Sequence, residues 1–349
     1  MQLKRLRDDS VESEDGRIIL YSVPRFLDEI ANGDGCFICG AMPGTKKFNR
    51  EHVIPDWVLR DRGLHSGNIA LPNKGAVMYG CYTVPCCAEC NTKMAQVFED
   101  PISNAFSRGW EGVAELIRKD GGRLLWRWLA LIFLKAHLKH RDLRWHLNPN
   151  LGDERIADTY DWTTELYHIH CVIRSFHSGA VLGDSIYGSI FLCPAIQMES
   201  GERFDFADLR AGASIMMRID DVMMFAVLND SGVVNGAMRD EIAKITGPLT
   251  VLQGRELLAR YSHWNLSFEP RPEYISNMDF QSGEYAIEAV LPDGVTLFEE
   301  PGVERYGKML HYFVREILER TGTDPEIMEY VRQGHYSFLF KEDGTFMAH

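Results

Sequence analysis

The chain has 349 residues, of which 45% are hydrophobic and 25% charged, with a formal net charge of −13. That balance fits an ordinary soluble globular protein and leaves room for two domains. The longest apolar run of its central helix, Trp128–Leu134, falls far short of the roughly 20 residues a membrane-spanning helix needs.

The charge is unevenly spread. Residues 1–108 carry 13 Lys/Arg against 14 Asp/Glu, whereas residues 118–144 carry eight basic residues against only Asp120 and Asp142. By difference, residues 145–349 are strongly acidic, at about −16. A local basic stripe of this kind suits a polyanion, and the acidic remainder does not.

In chain order, the N-terminal MQLKRLRDDSVESEDG is polar and lacks the apolar core of a signal peptide, which predicts a cytoplasmic protein. Residues 17–108 are rich in Cys, Gly, Pro and Asn, the composition of a small module stapled by metal. Within it, residues 49–54 are expected to form a strand ended by Pro55, and a helix is expected from near Ala88, burying Met94, Ala95 and Phe98. Residues 109–146 read as helical: Leu125, Trp128, Leu129, Ile132, Phe133 and Ala136 recur at three- and four-residue steps. Arg123, Arg127, Lys135 and Lys139 fall largely on another face, and the helix stops at NPNLGD, 148–153. Beyond it, LYHIHCVIRSF and SIYGSIFLCP read as strands, SIMMRI and VMMFAVL as a hairpin turning at Asp220-Asp221, and 305–322 as an amphipathic helix. The fold class is therefore α+β, with a first domain over 1–108 and a second over 109–349 made of a basic linking helix and a larger acidic α+β domain.

Eight cysteines are present, four of them in two C-x-x-C pairs: Cys36-Phe-Ile-Cys39 and Cys87-Ala-Glu-Cys90. In a reducing compartment this spacing favours metal over disulfides. Four thiolates from two tight turns make a closed tetrahedral site, which suits structural Zn²⁺. Cys86 competes in register with Cys87, but only Cys87 and Cys90 keep the C-x-x-C spacing. Between the knuckles stands Glu51-His52, and directly after the second stands Asn91.

This order, CxxC, then EHVIP, then CxxCN, resembles the zinc-containing branch of the HNH (ββα-metal) endonucleases over about residues 36–99. The resemblance implies a ββα module that hydrolyses phosphodiester bonds in nucleic acid, DNA before RNA, in the setting of bacterial defence systems or mobile elements. It implies that His52 is the general base, and that Glu51 and Asn91 hold a catalytic Mg²⁺ or Mn²⁺. The chemistry agrees: an imidazole, with its ordinary pKa near 6.5, can take a proton from water at neutral pH. Carboxylate and amide oxygens suit a hard divalent cation. The pattern departs from the family at the residue that orients the base, where Tyr82 stands; Asn68 and Asn73 lie earlier, in GNIALPNKG.

Blander readings stand beside these. A histidine in isolation is more often structural, and the alternative for the whole module is a catalytically inactive, zinc-organised binding module for nucleic acid or protein. Arg50, Lys93 and the basic helix could meet phosphates or simply be solvated. His168 and His170 would share one strand face, as a metal pair or as hydrogen-bonding partners, and Trp126, Trp128 and Trp162 read as core before base-stacking. The acidic region 145–349 suits a protein partner or an effector ligand.

Overall fold

The computed structural model describes residues 2–197, 201–294, 296–297 and 302–348. It is an α+β structure in two compact units. Unit 1 comprises residues 1–107, 123–186 and 274–288, and unit 2 comprises 108–122, 187–273 and 289–349. The chain leaves unit 1 after residue 107 and returns to it at residue 123, so neither unit is one continuous stretch.

The reason is the helix Arg123–His140. It is not a linking helix with a solvated basic face, as its pattern suggested. Fourteen of its 18 residues are buried, Lys135 and two tryptophans, Trp126 and Trp128, among them. A helix apolar nearly all round has to be enclosed, and the segment that precedes it is too small to do so alone. Trp57 stacks on Trp128, and the Arg127 guanidinium sits over Phe98, both contacts made by the N-terminal segment.

Enclosure on another side comes from Tyr167–Ile173, which is a helix rather than the expected strand. Its residues His168 to Ile173 are all buried. All-round burial removes the polar face that marks a helical period, so a run rich in Ile, Val and His reads as a strand. His168 and His170 consequently do not share a strand face. His168 stacks on Tyr274 at 4.3 Å, and His170 Nε2 pairs with the carbonyl of Phe37 at 2.9 Å. Trp162 is core.

Two three-stranded sheets belong to unit 1. Leu3–Arg5, Val11–Ser13 and Ile18–Leu20 form an antiparallel meander. Glu273–Asp279 and Glu284–Val290 form a ribbon whose second strand runs parallel to Val181–Leu182. That pairing draws 274–288 into the first unit.

Unit 2 is built on an antiparallel sheet in the order Phe204–Leu209, Ser214–Ile219, Val222–Val227, Ile190–Pro194. The expected hairpin is there, turning through Asp220 at φ +53°. Its two strands are buried on both faces, which suits their Met-rich sequence. The helix Val251–Asn265 packs on this sheet, and the expected amphipathic helix runs Val303–Arg320. Buried Glu256 accepts hydrogen bonds from Arg260, Tyr306, Ser337 and the amides of Phe338 and Leu339, which fastens the C-terminal segment.

Arg174 is the polar staple of unit 1. Fully buried, it donates to the carbonyls of Ile18, Ile19 and Ile38 at 2.6, 2.9 and 3.0 Å, and its guanidinium lies over Tyr21. Arg174→Met removes these donors and leaves three buried carbonyls unpaired. It is expected to cost about 3 kcal/mol or more, read as a lowered urea midpoint by tryptophan fluorescence.

Candidate metal centre and active site

Two antiparallel strands and a helix build the site. Phe48–His52 pairs with Thr83–Cys87 in the register Phe48↔Cys87, Glu51↔Val84, His52↔Thr83. The second strand runs straight into the helix Ala88–Met94, capped by Cys87, which continues through a π turn at Ala95–Glu99 into Asp100–Phe106. Met94 and Phe98 are buried as expected, while Ala95 is half-buried.

At the root of that helix lie the four cysteines. The sulfurs of Cys36, Cys39, Cys87 and Cys90 all fall within 4.8 Å of one another, with Cys39 and Cys87 3.7 Å apart. Sulfurs bound tetrahedrally to one zinc at about 2.3 Å would stand about 3.8 Å apart, so this donor set fits the ion. Cys86 lies 3.7 Å from Cys36 but is not part of the set of four. Each knuckle is held by its backbone: Cys36 accepts from Gly40 N and donates to Ala41 O, and the Cys90 amide points at the Cys87 sulfur. Gly40 is required, because at φ +70° an added Cβ would fall 2.3 Å from the Tyr21 hydroxyl.

The crowding of these thiols suits a cation. Hydrogen bonds from the Cys39, Cys86 and Cys90 thiols hold Cys36 far below the usual thiol range, and the same contacts push Cys86 and Cys90 far up and Cys39 up to about 12. Sulfurs this close cannot all carry charge unless a cation neutralises them. A Zn²⁺ there would tie the loop 36–39 to the helix that follows the second strand.

Glu51 and His52 part company at the end of the first strand, because successive strand residues face opposite ways. Glu51 points inward and is buried. Its Oε1 accepts from Lys135 Nζ at 2.7 Å, and the same ammonium donates to the carbonyl of His52 at 2.7 Å. The carboxylate expected to bind a catalytic cation is thus already sharing its charge with a lysine. Half-buried Glu99 stands near this pair: desolvation pushes its carboxyl up to about 7, Lys135 pulls it down and Glu51 repels it.

His52 faces outward, half-exposed, toward two residues the sequence reading did not single out. Its Nδ1 is 3.9 Å from Asp56 Oδ1, and that oxygen also pairs with His65 Nε2 at 2.9 Å. Asp56 opens the helix Asp56–Asp61 directly after Pro55, one turn beyond His52. The sequence signal was the acid four residues after the histidine. His65 carried none, because only the fold returns its loop to the strand end.

The remaining expected residues are dispersed. Asn91 is the fourth residue of the helix Ala88–Met94 and half-buried. Tyr82 donates or accepts with His140 at 2.7 Å in the core, and Asn73 binds the carbonyl of Arg144, so neither is placed to orient His52. Asn68 is exposed on a short strand. Lys93 and Lys46 both pair with Glu89, which they hold down at about 2, and Arg50 is exposed.

Comparison with protein-family models, curated proteins and solved structures finds no match. What the site can do is therefore read from its own atoms. The closed sulfur set suits a structural ion, and the open His52 side suits chemistry or binding in water.

Two outcomes are expected. Metal analysis should find one zinc per chain, lost in Cys90→Ser with a large drop in thermal stability and kept in Cys86→Ser. Glu99 titrates above its ordinary 4.5, so its neutral form is favoured in the fold. Its contribution is complete below that value and lost as pH rises through about 7. The gain in melting temperature of Glu99→Gln over wild type should accordingly be near zero at pH 4.5 and grow toward pH 8.

Proposed function

We propose that unit 1 is a metal-dependent endonuclease of the HNH type, hydrolysing phosphodiester bonds in nucleic acid, with DNA as the first substrate to test. One observation carries the reading. The strand Phe48–His52 pairs antiparallel with Thr83–Cys87, which runs into a helix, with the four-cysteine set at the helix root and a half-exposed histidine at the exit of the first strand.

In this reading His52 takes the proton of the attacking water, the strand end fixes its position, and Lys135 clamps its carbonyl from behind. A divalent cation such as Mg²⁺ or Mn²⁺, with Glu51 and Asn91 as its assigned ligands, would supply charge neutralisation at the phosphate. Glu51 brings to that role a carboxylate partly neutralised by Lys135. The acidic remainder of the chain is suited to a protein partner or an effector ligand rather than to DNA.

The Glu51–Lys135 pair favours a second reading, in which Glu51 is structural and the zinc-organised module binds without cleaving. Incubation with plasmid, single-stranded DNA and RNA in Mg²⁺ or Mn²⁺ separates the two. The nuclease reading expects cleavage that falls by about 10²–10⁴-fold in His52→Ala. Cleavage undiminished in that variant removes His52 as the base, and no cleavage of any substrate by wild type supports the binding module.

A further inference from the structure

We propose that His52, Asp56 and His65 form a second metal site, selective for a first-row transition ion of the Zn²⁺ class. Their three ligand atoms, two imidazole nitrogens and one carboxylate oxygen, all lie within 4.8 Å of one another. Ligands sharing one such tetrahedral ion at about 2.0–2.2 Å stand about 3.4 Å apart. Asp56 Oδ1 is 2.9 Å from His65 Nε2 and 3.9 Å from His52 Nδ1, on either side of that spacing, so binding asks for shifts of about 0.5 Å in each pair rather than a rearrangement.

The frame around them is built by backbone hydrogen bonds. His52 ends a paired strand, and Asp56 begins the helix Asp56–Asp61. After that helix the chain turns back through Gly63, at φ +66°, with the Leu64 amide on the Leu59 carbonyl at 2.8 Å. That turn brings His65 to Asp56. Arg60 pairs with the other Asp56 oxygen at 3.3 Å and orients the carboxylate without occupying the shared oxygen.

Donor chemistry sets the choice of ion. Two imidazoles and one carboxylate suit Zn²⁺, Co²⁺ or Ni²⁺, whereas Mg²⁺ prefers oxygen alone. All three side chains are partly exposed, between 24% and 50%, so a bound ion would keep positions open to water. This contrasts with the sulfur set, which would be closed. The consequence for activity rests on the nuclease reading: an ion here takes the His52 lone pair that the base needs, so Zn²⁺ would inhibit cleavage supported by Mg²⁺.

The test uses the full chain already loaded with one zinc. Calorimetric titration with Zn²⁺ should show a second equivalent, weakened about 100-fold or more in His65→Ala and in Asp56→Ala, with circular dichroism confirming that both variants fold. Co²⁺ added to the zinc-loaded protein should give the weak visible bands of nitrogen and oxygen ligands, without the intense near-ultraviolet thiolate absorption of a cysteine site. No second equivalent in wild type, or one of equal affinity in both variants, overturns the site. So does a cobalt spectrum dominated by thiolate absorption. Plasmid cleavage by wild type in Mg²⁺, with and without the second zinc equivalent, keeps the two proposals apart. Metal binding without any cleavage upholds the site and sinks the nuclease, and cleavage without metal binding does the reverse.

Discussion

Lys135 holds its ammonium inside unit 1, 2.7 Å from the Glu51 carboxylate and 2.7 Å from the His52 carbonyl, and the candidate site takes its form from that contact. A buried ammonium is tolerated only with partners at this range. The central helix therefore cannot shift relative to the end of the strand Phe48–His52 without stranding a charge. With Glu51 drawn inward, strand geometry sends the next residue, His52, out to Asp56 and His65. Removing one partner alone would leave a buried charge uncompensated, a loss of about 3–5 kcal/mol. The same lysine thus positions His52 and lessens the capacity of Glu51 to bind a cation.

Around this contact the module combines two different donor sets. The sulfur set is buried except at half-buried Cys39, and its spacing is close to tetrahedral, features that suit an ion holding a small segment together. The imidazole–carboxylate set is partly exposed and incomplete, features that suit exchangeable ligands. The first sits where a strand becomes a helix, and the second where another strand gives way to a helix. Both place their ligands at chain reversals, where the backbone can aim side chains that a continuous element could not.

Much of this was legible in residue spacing. The two C-x-x-C pairs identified the tetrad, whereas the strand expected over 49–54 ends at His52, and Pro55 caps the helix that follows. The Ser214–Ile219 and Val222–Val227 hairpin followed from its apolar runs around Asp220-Asp221. The errors share one cause, which is burial on every side. In Arg123–His140 the basic residues suggested a solvated face, yet Lys135 is enclosed by its ion pair. In Tyr167–Ile173 the absence of a polar face hid a helix.

Sequence alone determined what depends on local spacing: the knuckles, the turn residues and the pairing of an acid with a histidine. Tertiary structure decided which of those residues meet. It gave Glu51 to Lys135, 84 positions away, and gave His52 to Asp56 and His65. No local pattern could disclose this, because the partner of a buried charge is set by how helices and strands pack, and by the cost of leaving that charge alone.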